Sequence, residues 1–220
     1  MNVWISFFVI AMTFSLQAGG PGRGVLKNGR GCGSGRGGNV SRCTAVPDPQ
    51  NADKIELKMP KEAWIRLWAD ELAARDLYAE LDQQTQRPVF QNIGLAEVHH
   101  RELIVGLLKM GGVDIPEELK AGTYGDPEID KVYAELLALG RQGELDAFRA
   151  GAAFEELDIT ELEREMARED LSDPERQLLT ALRDASVRHL QAFRRQIVRL
   201  GGTPERTHLS EERLKALLGL

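Results

Sequence analysis

From Pro60 to the end of the 220-residue chain, apolar positions recur at helical spacing. No window keeps the two-residue alternation of a half-buried strand. The first stripe, in a helix expected over Pro60–Asp82, is Trp64, Leu67, Trp68, Glu71, Ala74 and Tyr78, with a proline suited to the first turn. The second, over Pro88–Met110, is Phe90, Ile93, Glu97, His100, Ile104 and Leu107, and it halts at Gly111-Gly112. A shorter helix starts at Asp126 as N-cap and Pro127 in the first turn, with Ile129, Val132, Tyr133, Leu136 and Leu137 on its apolar side. Over Glu144–Arg168 the stripe is Phe148, Ala152, Glu155, Asp158, Ile159, Leu162 and Met166. Ser172-Asp173-Pro174-Glu175 has capping-box spacing. It opens a helix with Leu178, Leu179, Leu182, Ser186, His189, Phe193 and Ile197 on one face, ending at Gly201-Gly202. A short helix over Ser210–Leu218 closes the chain, which is therefore expected to be all-α.

Loop lengths restrict how these helices connect. The first and second long helices, and the third and fourth, are joined by only about five residues, which forces two antiparallel hairpins. One long crossover, Gly111 to Gly143, links the hairpins and contains the extra helix. Ferritin-like four-helix bundles have this arrangement.

The N-terminal third has a different character. Val3 to Leu16 is almost unbroken apolar sequence followed by Ala18-Gly19-Gly20, the make-up of a cleaved secretory signal over residues 1–18 and too short to span a bilayer. An exported protein, periplasmic or extracellular, with no membrane span after cleavage is expected. Residues 19–52 form a Gly/Arg-rich segment expected to be a flexible tail, since ten of the twenty positions from Gly19 to Gly38 are glycine. Cys32 and Cys43, the only two cysteines, suit a small disulfide loop in an oxidising compartment. The helical domain is then 53–220.

Charge sharpens the choice of partner. The chain carries 28 basic and 34 acidic residues, of which five basic and one acidic lie in the first fifty, leaving residues 51–220 at a net of −10. Such a domain does not suit nucleic acid, where phosphate neutralisation dominates affinity. Metal cations are the natural partner.

The polar interruptions of the apolar stripes carry the candidate chemistry. Each long helix places at least one ionisable group near its middle on the inward face: Glu71; Glu97 and His100; Glu155 and Asp158; His189. Left uncompensated, these would cost several kcal/mol per buried ion. One or two dications resolve that cost, with carboxylates supplying charge and neutral imidazoles completing the coordination. The Glu97-x-x-His100 spacing projects both side chains from one turn towards one point. Taken singly, each group has another reading: Glu71 paired with Arg75, His189 as a core histidine, Glu155 and Asp158 on a solvated face. Four helices placing them at similar heights favour a metal site. His99 and His208 are expected at the surface.

Glu71-Leu-Ala-Ala-Arg-Asp-Leu-Tyr78, Asn92-Ile-Gly-Leu-Ala-Glu-Val-His-His100, Gly151-Ala-Ala-Phe-Glu-Glu-Leu-Asp-Ile159 and His189-Leu-Gln-Ala-Phe193 resemble a bacterial and archaeal ferritin-like family of unknown function. The resemblance covers about residues 60–202. It implies that Glu71, Glu97, His100, Glu155 and His189 are metal ligands and that Tyr78 sits beside the metals. One departure is Ser186, where rubrerythrin- and ferritin-like di-iron proteins place the glutamate of a second Glu-x-x-His; either Asp158 replaces that acid or, if Asp158 points away, the site holds one metal or a mixed pair. The function so implied is di-iron chemistry in which Fe(II) is oxidised by oxygen or peroxide, with Glu97 bridging and Tyr78 as electron donor or hydrogen-bond partner. The alternative is a metal-binding or sequestering module for iron, zinc, manganese or copper. A third reading is a metal-free helical interaction domain.

Overall fold

The computed structural model describes residues 54–117 and 119–219. The expected signal, the Gly/Arg-rich tail and the Cys32/Cys43 pair lie outside the described residues. Those described form six helices and no strand: α1 (Lys61–Thr85), α2 (Pro88–Met110), α3 (Pro127–Gly140), α4 (Glu144–Met166), α5 (Asp173–Arg199) and α6 (Glu211–Leu218). None is long and apolar enough to cross a membrane.

Local chemistry sets the boundaries. The Asp126 carboxylate accepts the Glu128 N–H at 2.9 Å, starting α3 as an N-cap should. Glu175 accepts the N–H and O–H of Ser172 at 2.9 and 2.7 Å, forming the expected box at the head of α5. The Gly-Gly stops work through their left-handed members, Gly112 (φ +68°) and Gly201 (φ +79°), a conformation a β-carbon disfavours. α1 runs one turn beyond its expected end, to Thr85.

α1 packs along α2, and α4 along α5; α2 meets α5 and α1 meets α4. Only Gln86 and Arg87 separate α1 from α2, so the chain folds back on itself there. α3, in the crossover, lies against both α1 and α4. These two helices are consequently buried on more than one side, with Asp70, Glu71, Glu155, Glu156 and Asp158 all wholly enclosed.

An aromatic layer fills one part of the core. Phe90 stacks on Phe148 at 5.0 Å, and Phe193 lies 5.4 Å from both Phe90 and Tyr78. Gly151 lets α4 approach this layer, since a β-carbon there would stand 2.8 Å from the Phe193 ring.

Two buried glutamates fasten the segments before α1 and before α6 to the core. Glu156 of α4 accepts N–H bonds from Thr207, His208 and Leu209 at 2.7, 2.8 and 3.1 Å. Glu175 accepts the Lys58 and Met59 N–H groups, both at 2.9 Å, and the Trp64 indole N–H at 3.2 Å. Burial alone would raise the Glu175 pKa, but the Met59, Ser172 and Lys58 hydrogen bonds outweigh it and lower the value.

Candidate metal centre

α1, α2, α4 and α5 bring five of the six expected metal residues into two groups with a shared member. Glu71, Glu97 and His100 form one, and Glu97, Glu155 and His189 the other. Within each, one potential ligand atom from every residue lies within 4.8 Å of the rest. The His100 Nδ1 is 2.7 Å from one Glu97 oxygen and 3.5 Å from Glu71. The His189 Nδ1 is 3.4 Å from the other Glu97 oxygen and 3.4 Å from Glu155. Glu97 thus presents one oxygen to each group. The two imidazoles lie 6.0 Å apart, nearly parallel.

Each placement follows from the helix that carries it. The three-residue spacing puts Glu97 and His100 on the same side of α2, one turn apart. Glu155 faces them from α4 and His189 from α5. Tyr78, two turns beyond Glu71 on α1, donates its O–H to Glu155 Oε1 at 2.6 Å. The Tyr78 ring is enclosed by Phe90, Phe154 and Phe193.

The electrostatics of these buried residues favour association with positive charge. Glu71, Glu97, His100 and Glu155 are fully buried and His189 is 4% exposed. Among the described residues, no hydrogen-bond donor satisfies either oxygen of Glu71 or Glu97, or the second oxygen of Glu155. The 2.7 Å His100–Glu97 approach is close, yet it lacks hydrogen-bond direction. Burial raises the Glu97 pKa well above its usual range, and the Glu71 and Glu155 charges push it further; burial and Glu155 do the same to Glu71. Burial raises Glu155 less, because His189 and the Tyr78 hydroxyl offset it. Burial lowers His100, which keeps its imidazole neutral and its lone pair available. The residues present therefore fit a pair of divalent cations.

Asp158 is fully buried and neither of its oxygens is hydrogen-bonded by a described residue, but it belongs to neither convergent group. Burial and the charges of Glu155 and Glu71 raise its pKa. Ser186 turns its hydroxyl back to the Leu182 carbonyl at 3.4 Å. Arg75 pairs with Asp76 at 2.7 Å. His99 and His208 are exposed. Among the buried acids that escape the sequence pattern is Asp70, beside Glu71, neither of whose oxygens is hydrogen-bonded by a described residue. The stripe of α1 excludes it because that stripe describes only one buried face, and α3 covers a second.

This is an all-helical protein whose described core encloses a carboxylate–histidine cluster. It belongs to the DUF2202 family, an uncharacterized protein domain whose model matches residues 61–219. The chain is 29% identical over 161 residues to the uncharacterized protein MJ0754 of Methanocaldococcus jannaschii, covering 72% of this chain and 85% of that protein. The crystal structure of hypothetical protein MJ0754 from Methanococcus jannaschii is similar in fold, with a TM-score of 0.70 at 25% identity over 80% of this chain and 98% of the other.

Proposed function

We propose that this is an exported, ferritin-like four-helix-bundle protein that holds two iron ions and oxidises Fe(II) with oxygen or peroxide. The supporting observation is the pair of buried ligand groups joined through Glu97. In this reading Glu71 and His100 would hold one ion and Glu155 and His189 the other, with Glu97 common to both groups. The dications' positive charge is set against the buried carboxylates of Glu71, Glu97 and Glu155. Iron bound there supplies one-electron redox chemistry towards a small oxidant.

The chain's own groups do the rest. Neutral His100 offers its lone pair without giving up a proton. Tyr78 keeps its proton, since burial and the Glu155 charge raise its pKa, and through that proton it holds Glu155 Oε1 in place. The enclosing phenylalanines keep water from the Tyr78 side. Complete burial of the carboxylates limits the reactant to something as small as oxygen or peroxide.

The same burial favours a second reading, retention of a metal without turnover. Anaerobic loading of the full chain with Fe(II), followed by oxygen, separates the two. Oxygen consumption with Fe(III) formation, lost in Glu97→Ala, is the expected result. Bound iron without oxygen consumption assigns sequestration, and undiminished oxidation in Glu97→Ala contradicts the bridging role.

A further inference from the structure

The acids of α4 continue beyond the metal groups. Glu155, Asp158, Glu161 and Glu165 recur at spacings of three, three and four, so they trace an arc of about 120° along the helix over about 15 Å. Their exposure rises outward: 0% at Glu155 and Asp158, 4% at Glu161, 8% at Glu165. Asp70 lies fully buried on α1, which packs against α4. After burial itself and the opposing charge of Arg66, the charges that most affect Asp70 are those of Glu161, Asp126 and Glu71; Asp158 responds to Glu155, Glu71 and Asp70. Asp158 lies one helical turn from Glu161 and one from Glu155, and Asp70 is within electrostatic reach of both Glu161 and Asp158.

Outside the metal groups, several other buried acids have protein partners. Glu156 and Glu175 accept backbone N–H groups, and Asp76 accepts the Tyr124 hydroxyl at 3.1 Å. Neither oxygen of Asp70 or Asp158 is hydrogen-bonded by a described residue. A buried carboxylate in that state is costly unless a cation or proton visits it. At the outer end, Arg164 pairs with Glu161 and with Glu165, the latter at 2.7 Å, and its side chain is 57% exposed. An ion pair so open to water is weak and exchangeable.

We propose that Glu161, Asp70 and Asp158 form a transit path carrying divalent cations from the Arg164 rim to the Glu71/Glu155 side of the metal centre. The inference rests on the metal reading above. Two aspartates offer oxygen ligands alone and no imidazole, which suits brief occupancy by a hard cation rather than retention. Passage requires sites that bind and release. Arg164 supplies the positive charge at Glu161 until an incoming ion replaces it.

The test measures the rate of Co(II) uptake by the full-length apoprotein from its visible absorption, together with ions bound per chain at equilibrium by elemental analysis. Asp70→Asn, Asp158→Asn and Glu161→Gln are expected to bind as many ions as the wild type but to load at least about tenfold more slowly, the lower end of what a like-charged cleft adds to an on-rate. Glu62→Gln, at an exposed carboxylate of α1, should load at the wild-type rate. Wild-type loading rates in all three variants would overturn the path and leave the metal centre standing. Loss of an ion at equilibrium in either aspartate variant would make that residue a ligand and also overturn the path. A wild-type chain that binds no Co(II) removes the metal reading and the path with it. If an aspartate variant fails to fold, as judged by circular dichroism, Glu161→Gln at the rim decides the outcome.

Discussion

At Glu97 each carboxylate oxygen approaches a different imidazole, 2.7 Å from His100 and 3.4 Å from His189. This residue was legible in the sequence because a glutamate and a histidine, three apart, interrupt an otherwise apolar stripe. Glu71, Glu155 and His189 were legible for the same reason on the other helices. Asp70 was not, since it lies a hundred degrees round the helix from Glu71 and only tertiary packing encloses it. Tyr78 gives the prediction proper to this scale. Tyr78→Phe keeps the ring within its aromatic enclosure but removes the 2.6 Å hydrogen bond to Glu155. The apoprotein should lose about 1–3 kcal/mol, the cost of stranding a buried acceptor, as measured by urea unfolding. The number of metal ions bound should not change.

The helices were legible from their ends. Proline and capping residues set the starts, Gly-Gly pairs set two of the stops, and α2 occupies its expected span, Pro88–Met110. Single-face patterning failed on α1 and α4. Each is packed on two sides, so acids that look solvated in a one-stripe reading, such as Glu156 and Glu161, are enclosed. Glu156 holds the segment before α6 through three backbone N–H groups. Glu156→Ala should cost about 1–3 kcal/mol and speed amide exchange at Thr207, His208 and Leu209 before it affects α2. Unchanged exchange there would show that the C-terminal segment is held by other contacts. Gly151→Ala forces a β-carbon against Phe193 and should destabilise by about 1–3 kcal/mol, with a lowered thermal midpoint as the readout.

Across the whole molecule, the buried acids link stability to pH and metal. Glu71, Glu97 and Asp158 have folded pKa values well above their ordinary 4.5, 4.5 and 3.8, so in that interval the native state holds more protons than the unfolded chain. Their contribution is fully present below the ordinary values and is lost as pH rises through the raised ones. His100 acts in the opposite sense: its folded pKa is below 6.5, so its contribution is present above 6.5 and lost on acidification. Above pH 6.5 the carboxylate effect is no longer opposed by His100. The apoprotein's thermal midpoint should therefore fall as pH rises through the raised carboxylate values. A saturating divalent metal should abolish that fall, because a cation stabilises the ionised carboxylates and binds only the native state. A midpoint that is flat with pH and indifferent to metal would indicate a self-satisfied polar core.

The all-helical class and the order of its elements could be read from periodicity and punctuation, but nuclearity depends on which side chains converge, and that is a property of packing. The most direct measurement is elemental analysis of the full-length protein after anaerobic Fe(II) loading and removal of free metal. The account predicts two iron ions per chain in the wild type and loss of both in Glu97→Ala. A wild-type chain that retains no iron, or a Glu97→Ala chain that retains two, would contradict it.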